Sequence, residues 1–360
     1  MMRVGLSGFS LFGVSSCPAP QKGGYVMRRR SGKFFTKAQA LIALIALFTL
    51  LFACCAVGPA HAETERGSLE GRFEEPRVVE YNGQQYRVRN KDITTVLFMG
   101  VDTRTEGEGV GLGFRNGGQS DFMMLVVIDS KNERITPIHI DRDTITEITV
   151  LSIIGRPAGT TVTQICLSHA FGDGKAQSCE FAAKAVSHLL MDVDVDFYVA
   201  MNMDGIPILN DAVGGVTVTL TEDFSYADST MVPGATLTLH GRQAEYYVRG
   251  RMQVGDGTNK SRMGRQRDYL EKLAKKIDSM TTKNANFIGE LFDLLNPMLE
   301  TDMARGRMIN EVWKARNYTR AASISPAGEH TIGDDGFVEF HVNEDALTQM
   351  VLELFFEPIS

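Results

Sequence analysis

Of nine Arg and Asp residues between Ile93 and Arg267, most follow or lead an apolar run: Asp102, Arg104, Asp121, Arg142, Asp143, Arg249, Arg251, Arg262 and Arg265. They fall in short motifs, Gly-Val-Asp-Thr-Arg, Gln-Ser-Asp-Phe-Met-Met-Leu, Ile-Asp-Arg-Asp-Thr, Tyr-Val-Arg-Gly-Arg and Arg-Met-Gly-Arg-Gln. Guanidiniums are planar forks that match phosphate oxygens, and carboxylates with water hold a hard divalent cation. The set points to phosphate chemistry. For any one of these residues the competing reading is an ordinary surface ion pair.

Asp102 lies in a turn that follows an apolar run, and ligands bind at the carboxyl ends of strands in α/β sheets. Asp102 and Asp121 could together ligate Mg²⁺, which takes one or two carboxylates, waters and substrate phosphate oxygens. Two close carboxylates also need a cation or arginines to keep both ionised. Arg249 and Arg251 alternate, while Arg262 and Arg265 are three apart on an expected helix. They flank Gly255-Asp256-Gly257 near a helix start, the makings of a diphosphate clamp, with a solvated helix face as the alternative. There is no Gly-x-x-x-x-Gly-Lys-Ser/Thr loop and no Gly-x-Ser-x-Gly elbow, which argues against a P-loop nucleotide enzyme and an α/β-hydrolase. His139 ends an apolar run and reads as a packed residue, and Met123 and Met124 as core. Met- and Phe-rich strands would also suit a tunnel for a flexible lipid.

The elements that must hold these residues are separated from the N-terminus by a charge asymmetry. Met1 to Ala62 has no Asp or Glu, and Arg28, Arg29, Arg30, Lys33 and Lys37 precede an uncharged run from Leu41 to Val57. Such a run is close to the ~17–25 residues of a spanning helix, and its positive flank keeps that side in the cytoplasm. The expected organisation is a cytoplasmic leader over 1–40 (Met27 being an alternative start), a transmembrane anchor over 41–58, a stalk and lead-in over 59–90, and an extracytoplasmic domain over 91–360. Ala60-His61-Ala62 also fits a signal-cleavage site, and either reading exports the domain. Without its first 62 residues the chain carries a net charge of about −14, which excludes bulk-field binding of nucleic acid. Cys166 and Cys179 are the exported pair, either a disulfide or two free thiols.

Apolar runs predict strands over Thr94–Gly100, Phe122–Ile128, Arg134–Ile140, Asp196–Met203 and Val216–Leu220, with a hairpin over Val78–Arg89 around Asn82-Gly83. Helical spacing predicts helices over Thr161–Phe171, Cys179–Met191, Arg242–Val248, Lys260–Met280, Asn284–Leu299, Ala304–Arg316 and Glu344–Phe356, and one running to Val213 capped by Asp204. Late strands are expected over Thr319–Ile324 and Gly336–Val342. Strands and helices alternate without a second linker, which predicts one α/β domain.

Taken together, Val-Leu-Phe-Met-Gly-Val-Asp-Thr-Arg, Ser-Asp-Phe-Met-Met-Leu, Asp-Arg-Asp-Thr, Asn-Asp-Ala-Val-Gly-Gly-Val, Arg-Gly-Arg and Arg-Met-Gly-Arg-Gln resemble the LytR–CpsA–Psr family, in its order, from about Ile93 to Ile277. The resemblance implies a three-layer α/β/α domain with a central mixed sheet whose apolar core holds a polyprenyl chain, preceded by one N-terminal transmembrane helix. It implies Mg²⁺-dependent transfer of a glycopolymer phosphate from a polyprenyl diphosphate to a peptidoglycan sugar hydroxyl, at the membrane of a Gram-positive-type cell. Residue by residue, Asp102 and Asp121 would hold the metal, and Asp102, Asp121, Arg142 and Arg251 would form the catalytic set. Arg104, Arg142, Arg249, Arg251, Arg262, Arg265 and Gln266 would bind the diphosphate. Asp143 and Asp102 are the candidate general bases. The chain departs from the family pattern at Gln119, where an Arg is usual, at Phe122 in a Thr place, and at His139-Ile140-Asp141 in place of a Ser-Ile-Pro-like run. Polyprenyl-diphosphate hydrolysis and non-catalytic lipid binding are the rival functions.

Overall fold

The computed structural model describes residues 77–105, 117–152 and 154–359. The leader, the apolar run over 41–57 and the start of the stalk lie outside the described residues, and among those described no helix is long and apolar enough to cross a membrane.

Three long strands form the centre: β3 (Ile93–Val101), β4 (Ser120–Asp129) and β5 (Arg134–Ile140), an antiparallel meander. β1 (Val78–Tyr81) and β2 (Gln84–Val88) precede it as the expected hairpin, with Asn82 and Gly83 at positive φ in its turn. β6 (Ile145–Leu151) and β7 (Pro157–Gln164) then leave the sheet as a separate hairpin. α1 (Leu167–Ala170) and α2 (Ala176–Leu189) lead to β8 (Phe197–Asn202), which pairs parallel with β3. α3 (Gly205–Ala212), the short pair β9 (Thr217–Thr219) and β10 (Thr236–Thr238), α4 (Arg242–Arg249), the long α5 (Asn259–Lys283) and α6 (Phe287–Leu295) follow. β11 (Leu299–Thr301) closes one sheet edge against β8, α7 (Arg305–Ala315) follows, and β12 (Thr319–Arg320) lies parallel to β5 at the other edge. The chain ends with the hairpin β13 (Gly328–Ile332) and β14 (Val338–Val342), α8 (Glu344–Phe355), and β15 (Phe356–Pro358), which pairs with β2. The central sheet is therefore mixed, in the order β11-β8-β3-β4-β5-β12.

Alternation along the strands builds a core on each face of this sheet. Val96, Phe98, Met124, Val126, Val199 and Met201 point to one face and meet residues of α3 to α7. Leu97, Met99, Met123, Leu125, Val127 and Ala200 point to the other and meet α2 and α8. Each such fully buried side chain contributes roughly 1.5–3 kcal/mol, so helices on both faces are what the all-apolar strands demand.

Several local expectations are corrected. Thr161–Phe171 is not one helix: β7 runs to Gln164 and only Leu167–Ala170 is helical, because β7 is a polar outer strand exposed along most of its length. The helix expected over Asn284–Leu299 stops at Leu295, where Pro297 sits in a 3₁₀ turn and Leu299 starts β11. Only Thr319–Arg320 of the expected strand to Ile324 pairs as a strand. Asp204 makes no side-chain cap on α3, because its carboxylate takes Arg104 Nη1–H and the Thr105 N–H instead.

Candidate active site

The ends of four strands meet at one sheet edge: the C-termini of β3, β5 and β8 and the N-terminus of β4. Asp102 follows β3 directly. Its Oδ1 accepts the Gln119 N–H at 2.6 Å, and its own N–H donates to the Gln119 carbonyl at 3.0 Å. The close return of this chain rests on Gly118, at φ +74°, where a Cβ would lie 2.3 Å from Thr103 Cγ2.

Asp121 is placed by a bulge. Gly100 pairs with Phe122 and Val101 with Ser120, so Asp121 has no partner across the ladder. Regular alternation would point it to the same face as Met123 and Leu125. The bulge turns it instead to the opening that Phe122 lines.

That opening is a cavity of ≈ 630 Å³, part of it open to solvent, between the sheet and the helices α3, α4 and α5. Phe122, Met201, Ile206, Leu209, Tyr269 and Leu270 make it apolar, while Asp102, Asp121, Asn202, Arg249 and Gln266 supply the polar groups.

Arg142 is the centre of the charge cluster beside it. It sits where β5 turns into β6, in a turn fixed by Thr144 N–H and Oγ1–H on the Asp141 carbonyl. Its Nη1 pairs with Asp121 Oδ1, its Nε lies 3.2 Å from Asp143 Oδ1, and its Nη2 donates to Gln119 Oε1 and Cys166 Sγ. Gln119, where the resemblance would place an Arg, thus accepts from an arginine rather than adding one. Arg262, from the first turns of α5, reaches Asp121 Oδ2 at 3.4 Å, and Arg251 lies 3.8 Å from Asp143 Oδ2. Burial, reinforced by the like charges of Arg142 and Arg251, lowers Arg262 to about 10, so it stays a cation at neutral pH. Burial raises the Asp143 carboxyl despite Arg142. Of the two candidate bases, Asp102 lines the cavity, while Asp143 is the counter-charge of the arginines.

A second cluster lies at the rim. Glu245 on α4 is buried and accepts from Arg104 Nη2 at 2.5 Å and Arg249 Nη1 at 3.2 Å. Arg242 is 3.4 Å from its other oxygen. Gln266 donates to the Val248 carbonyl, leaving its Oε1 buried without a hydrogen-bond partner beside the cavity. Arg265 does not join either cluster. Its guanidinium pairs with Glu222, donates to the Tyr247 and Gly250 carbonyls, and lies over Phe224. Sequence reasoning missed Glu245, Glu222, Asp141, Asn259 and Asp204. Asn259 meets Arg262 and Glu245 meets Arg242 and Arg249 within one helical turn, whereas Glu222, Asp141, Asp204 and the Glu245–Arg104 pair join across long stretches of chain that no local pattern marks.

Cys166 and Cys179 are both buried free thiols. Burial pushes Cys166 up to about 11 even with Arg142 against it, which keeps it protonated. His139 is buried in the sheet as expected, beside Phe122. Among the described residues no group of three or more His, Cys, Asp or Glu could hold a metal ion. Asp102 and Asp121 both line one cavity, and one or two carboxylates are what Mg²⁺ uses when phosphate and water complete its shell. The donor set fits that ion.

A cavity with apolar walls and a mouth of carboxylates and arginines at the strand ends of a mixed sheet defines a class that comparison with known proteins identifies. The LytR_cpsA_psr family model matches residues 60–354, and the chain belongs to this family. Among its relatives, the polyisoprenyl-teichoic acid–peptidoglycan teichoic acid transferase TagU of Bacillus subtilis is 27% identical over 277 residues, covering 75% of this chain and 80% of TagU. The TagU of Halalkalibacterium halodurans is 29% identical over 238 residues, 66% of this chain and 69% of that one. In fold the chain is similar to protein gbs0355 of Streptococcus agalactiae, with TM-score 0.60, 24% identity, and 73% and 88% of the two chains covered. It is likewise similar to TagT bound to LIIa-WTA, with TM-score 0.55, 22% identity, and 80% and 98% covered.

Proposed function

We propose that this chain transfers a glycopolymer phosphate from a polyprenyl-diphosphate carrier to a sugar hydroxyl of peptidoglycan. The observation that carries this reading is the apolar cavity that ends at Asp102, Asp121, Arg249 and Gln266, with Arg142, Arg251 and Arg262 beside it. A polyprenyl tail gains about 0.8 kcal/mol for each CH₂ it buries, so the cavity can retain the carrier while its head group stays exchangeable. The names of the TagU relatives support the polymer and the acceptor.

In the reaction the acceptor hydroxyl oxygen forms a bond to the glycan-bearing phosphorus, the bond from that phosphorus to the bridging oxygen breaks, and polyprenyl monophosphate departs, the hydroxyl's proton ending on that phosphate or in solvent. Phosphoryl transfer needs positioning and charge stabilisation more than covalent help. Arg142 and Arg262, held on Asp121 before substrate arrives, supply donors that need no reorganisation at the moment of reaction. Arg249 at the cavity, with Arg104 beside it on Glu245, draws the diphosphate in. Asp102 and Asp121 would hold Mg²⁺, which when bound adds Lewis-acid charge at the phosphates. The apolar run over 41–58 is read as the anchor that keeps the domain outside the cell, where carrier and wall meet.

The test incubates the full chain in liposomes with a radiolabelled polyprenyl-diphosphate glycan and peptidoglycan fragments, with and without Mg²⁺. Label on the wall fragment only with metal, lost in Arg142→Ala, is the expected result. Lipid monophosphate and free glycan phosphate without labelled acceptor would make it a hydrolase. Tight lipid binding without turnover would make it a binding protein and refute the proposal.

A further inference from the structure

The C-terminal hairpin β13–β14 carries none of the motifs, yet one of its side chains is tied to the charge cluster. His330 Nε2 lies 3.0 Å from Asp141 Oδ2, and Asp141 is itself buried. The other oxygen, Asp141 Oδ1, accepts Asn259 Nδ2–H at 2.6 Å and the Asp143 N–H at 2.9 Å. Asn259 Oδ1 in turn accepts from Arg262 Nε at 3.0 Å and Nη2 at 2.6 Å. Arg262 Nη1 then faces Asp121 Oδ2 at 3.4 Å.

Each link of this chain has a direction. A carboxylate oxygen only accepts, so the contact with Asp141 requires the hydrogen on His330 Nε2 and the amide NH₂ of Asn259 on Asp141. That leaves the amide oxygen of Asn259 towards Arg262, which only donates. Were the amide reversed, its NH₂ would oppose the guanidinium and push it off Asp121. The histidine ring is held ready for its part: it packs on Phe340 with centroids 4.8 Å apart, and the Phe340 N–H donates to the Asp143 carbonyl at 2.7 Å.

We infer that His330 is a positioning residue for the transfer reaction, acting through Asp141 and Asn259 to keep Arg262 on Asp121. The inference rests on the proposed function above. It assigns a role in the chemistry to a hairpin outside the motifs, and it makes Asp141, one of the departures from the family pattern, the hub between hairpin and site. A side chain that only pinned the hairpin would change stability and leave turnover alone.

The test is the transfer assay on the full chain in liposomes. His330 is exposed on a hairpin strand, so His330→Ala is expected to fold, with circular dichroism as the check. Its kcat should fall by about tenfold, the lower end of what partners behind a site cost, with KM for the lipid donor within about twofold. His330→Gln places an N–H donor at similar reach and should recover most of the rate. In an Asn259→Ala background, where the chain is already cut, His330→Ala should cause no further loss. Unchanged kcat in folded His330→Ala, no recovery by Gln, or the same tenfold loss in the Asn259→Ala background would each overturn the inference while leaving wild-type transfer intact. Absence of transfer by the wild-type chain would sink the functional reading and this inference with it.

Discussion

The two arginine–carboxylate clusters around the cavity mouth use the same residue types in opposite senses. In the inner one Arg142 and Arg262 are 13% and 5% exposed and the acid they share, Asp121, is the more open at 22%, while Asp143, buried at 3%, backs Arg142 and the 25% exposed Arg251. In the rim cluster the acid is buried, Glu245 at 3%, and Arg104, Arg249 and Arg242 lie outside it at 23%, 38% and 61%. Buried arginines behind an acid form a fixed field, expensive to desolvate at folding and strong where water is excluded. Arginines radiating from a buried acid present positive charge to solvent, which suits capture of an anion and is readily screened. Burial, not residue type, separates the cluster built for chemistry from the cluster built for encounter.

The sharpest way to break this comparison is to truncate one arginine from each side. Arg142→Ala removes contacts to Asp121, Asp143 and Gln119 at once, and kcat for transfer should fall by ~10²–10³. Arg249→Ala should leave kcat within a few-fold and raise KM for the lipid donor, more so at low salt. Equal losses of kcat in the two variants would dissolve the distinction.

Arg265 supplies the next test, since it lies three residues from Arg262 on α5 and belongs to neither cluster. Its guanidinium is buried against Glu222 and two backbone carbonyls. Arg265→Ala strands the Glu222 carboxylate and should cost about 3 kcal/mol in urea unfolding, with kcat per folded molecule preserved. A stable but inactive variant would place Arg265 in the reaction after all.

That pair also shows where the sequence stopped being legible. Spacing of three suggested one shared face, but three residues are 300° around a helix, so the side chains diverge by about 60°. Such a divergence is enough to send one to Asp121 and the other to Glu222. The central strands were readable because every one of them is apolar on both faces, and the motif residues were readable because they stand where those runs end. The bulge that aims Asp121 was not, since one unpaired residue leaves no mark on hydrophobic alternation. Nor was the β6–β7 hairpin, whose outer strand is exposed over its first six residues and half Thr and Gly. Glu245, 141 residues from Arg104, and His330, 189 from Asp141, meet their partners only through the tertiary fold.

The burial of His139 behind the site should also appear as acid sensitivity. Burial, with Arg267 and Arg262 nearby, lowers His139 to about 3, so the folded chain refuses a proton that the unfolded chain accepts below about 6.5. A depressed histidine contributes stability that is present above 6.5 and lost as pH falls towards 3. Between pH 7 and pH 5 that loss is about 2 kcal/mol, at roughly 1.4 kcal/mol per pH unit below 6.5. His139→Met lacks this site, so the wild-type advantage in urea unfolding should shrink by that amount over the same interval. Parallel stability curves for the two proteins would show that His139 takes up its proton in the folded chain as readily as in the unfolded one, and that its burial does not hold it neutral.

The smallest expected effect belongs to the most exposed arginine. Arg242 stands 3.4 Å from Glu245 and over the Tyr246 ring at 5.7 Å, and Arg104 and Arg249 still neutralise Glu245 without it. Arg242→Ala should therefore shift unfolding stability by less than about 0.5 kcal/mol, the usual worth of an exposed pair. What it should change is the response to salt. With one positive charge fewer at the rim, the rise of KM for the lipid donor between low and physiological ionic strength should be shallower than in the wild type, with kcat unmoved. An unaltered salt slope would mean that the rim cluster does not meet the diphosphate in solution, and that the inner cluster alone both captures and activates it.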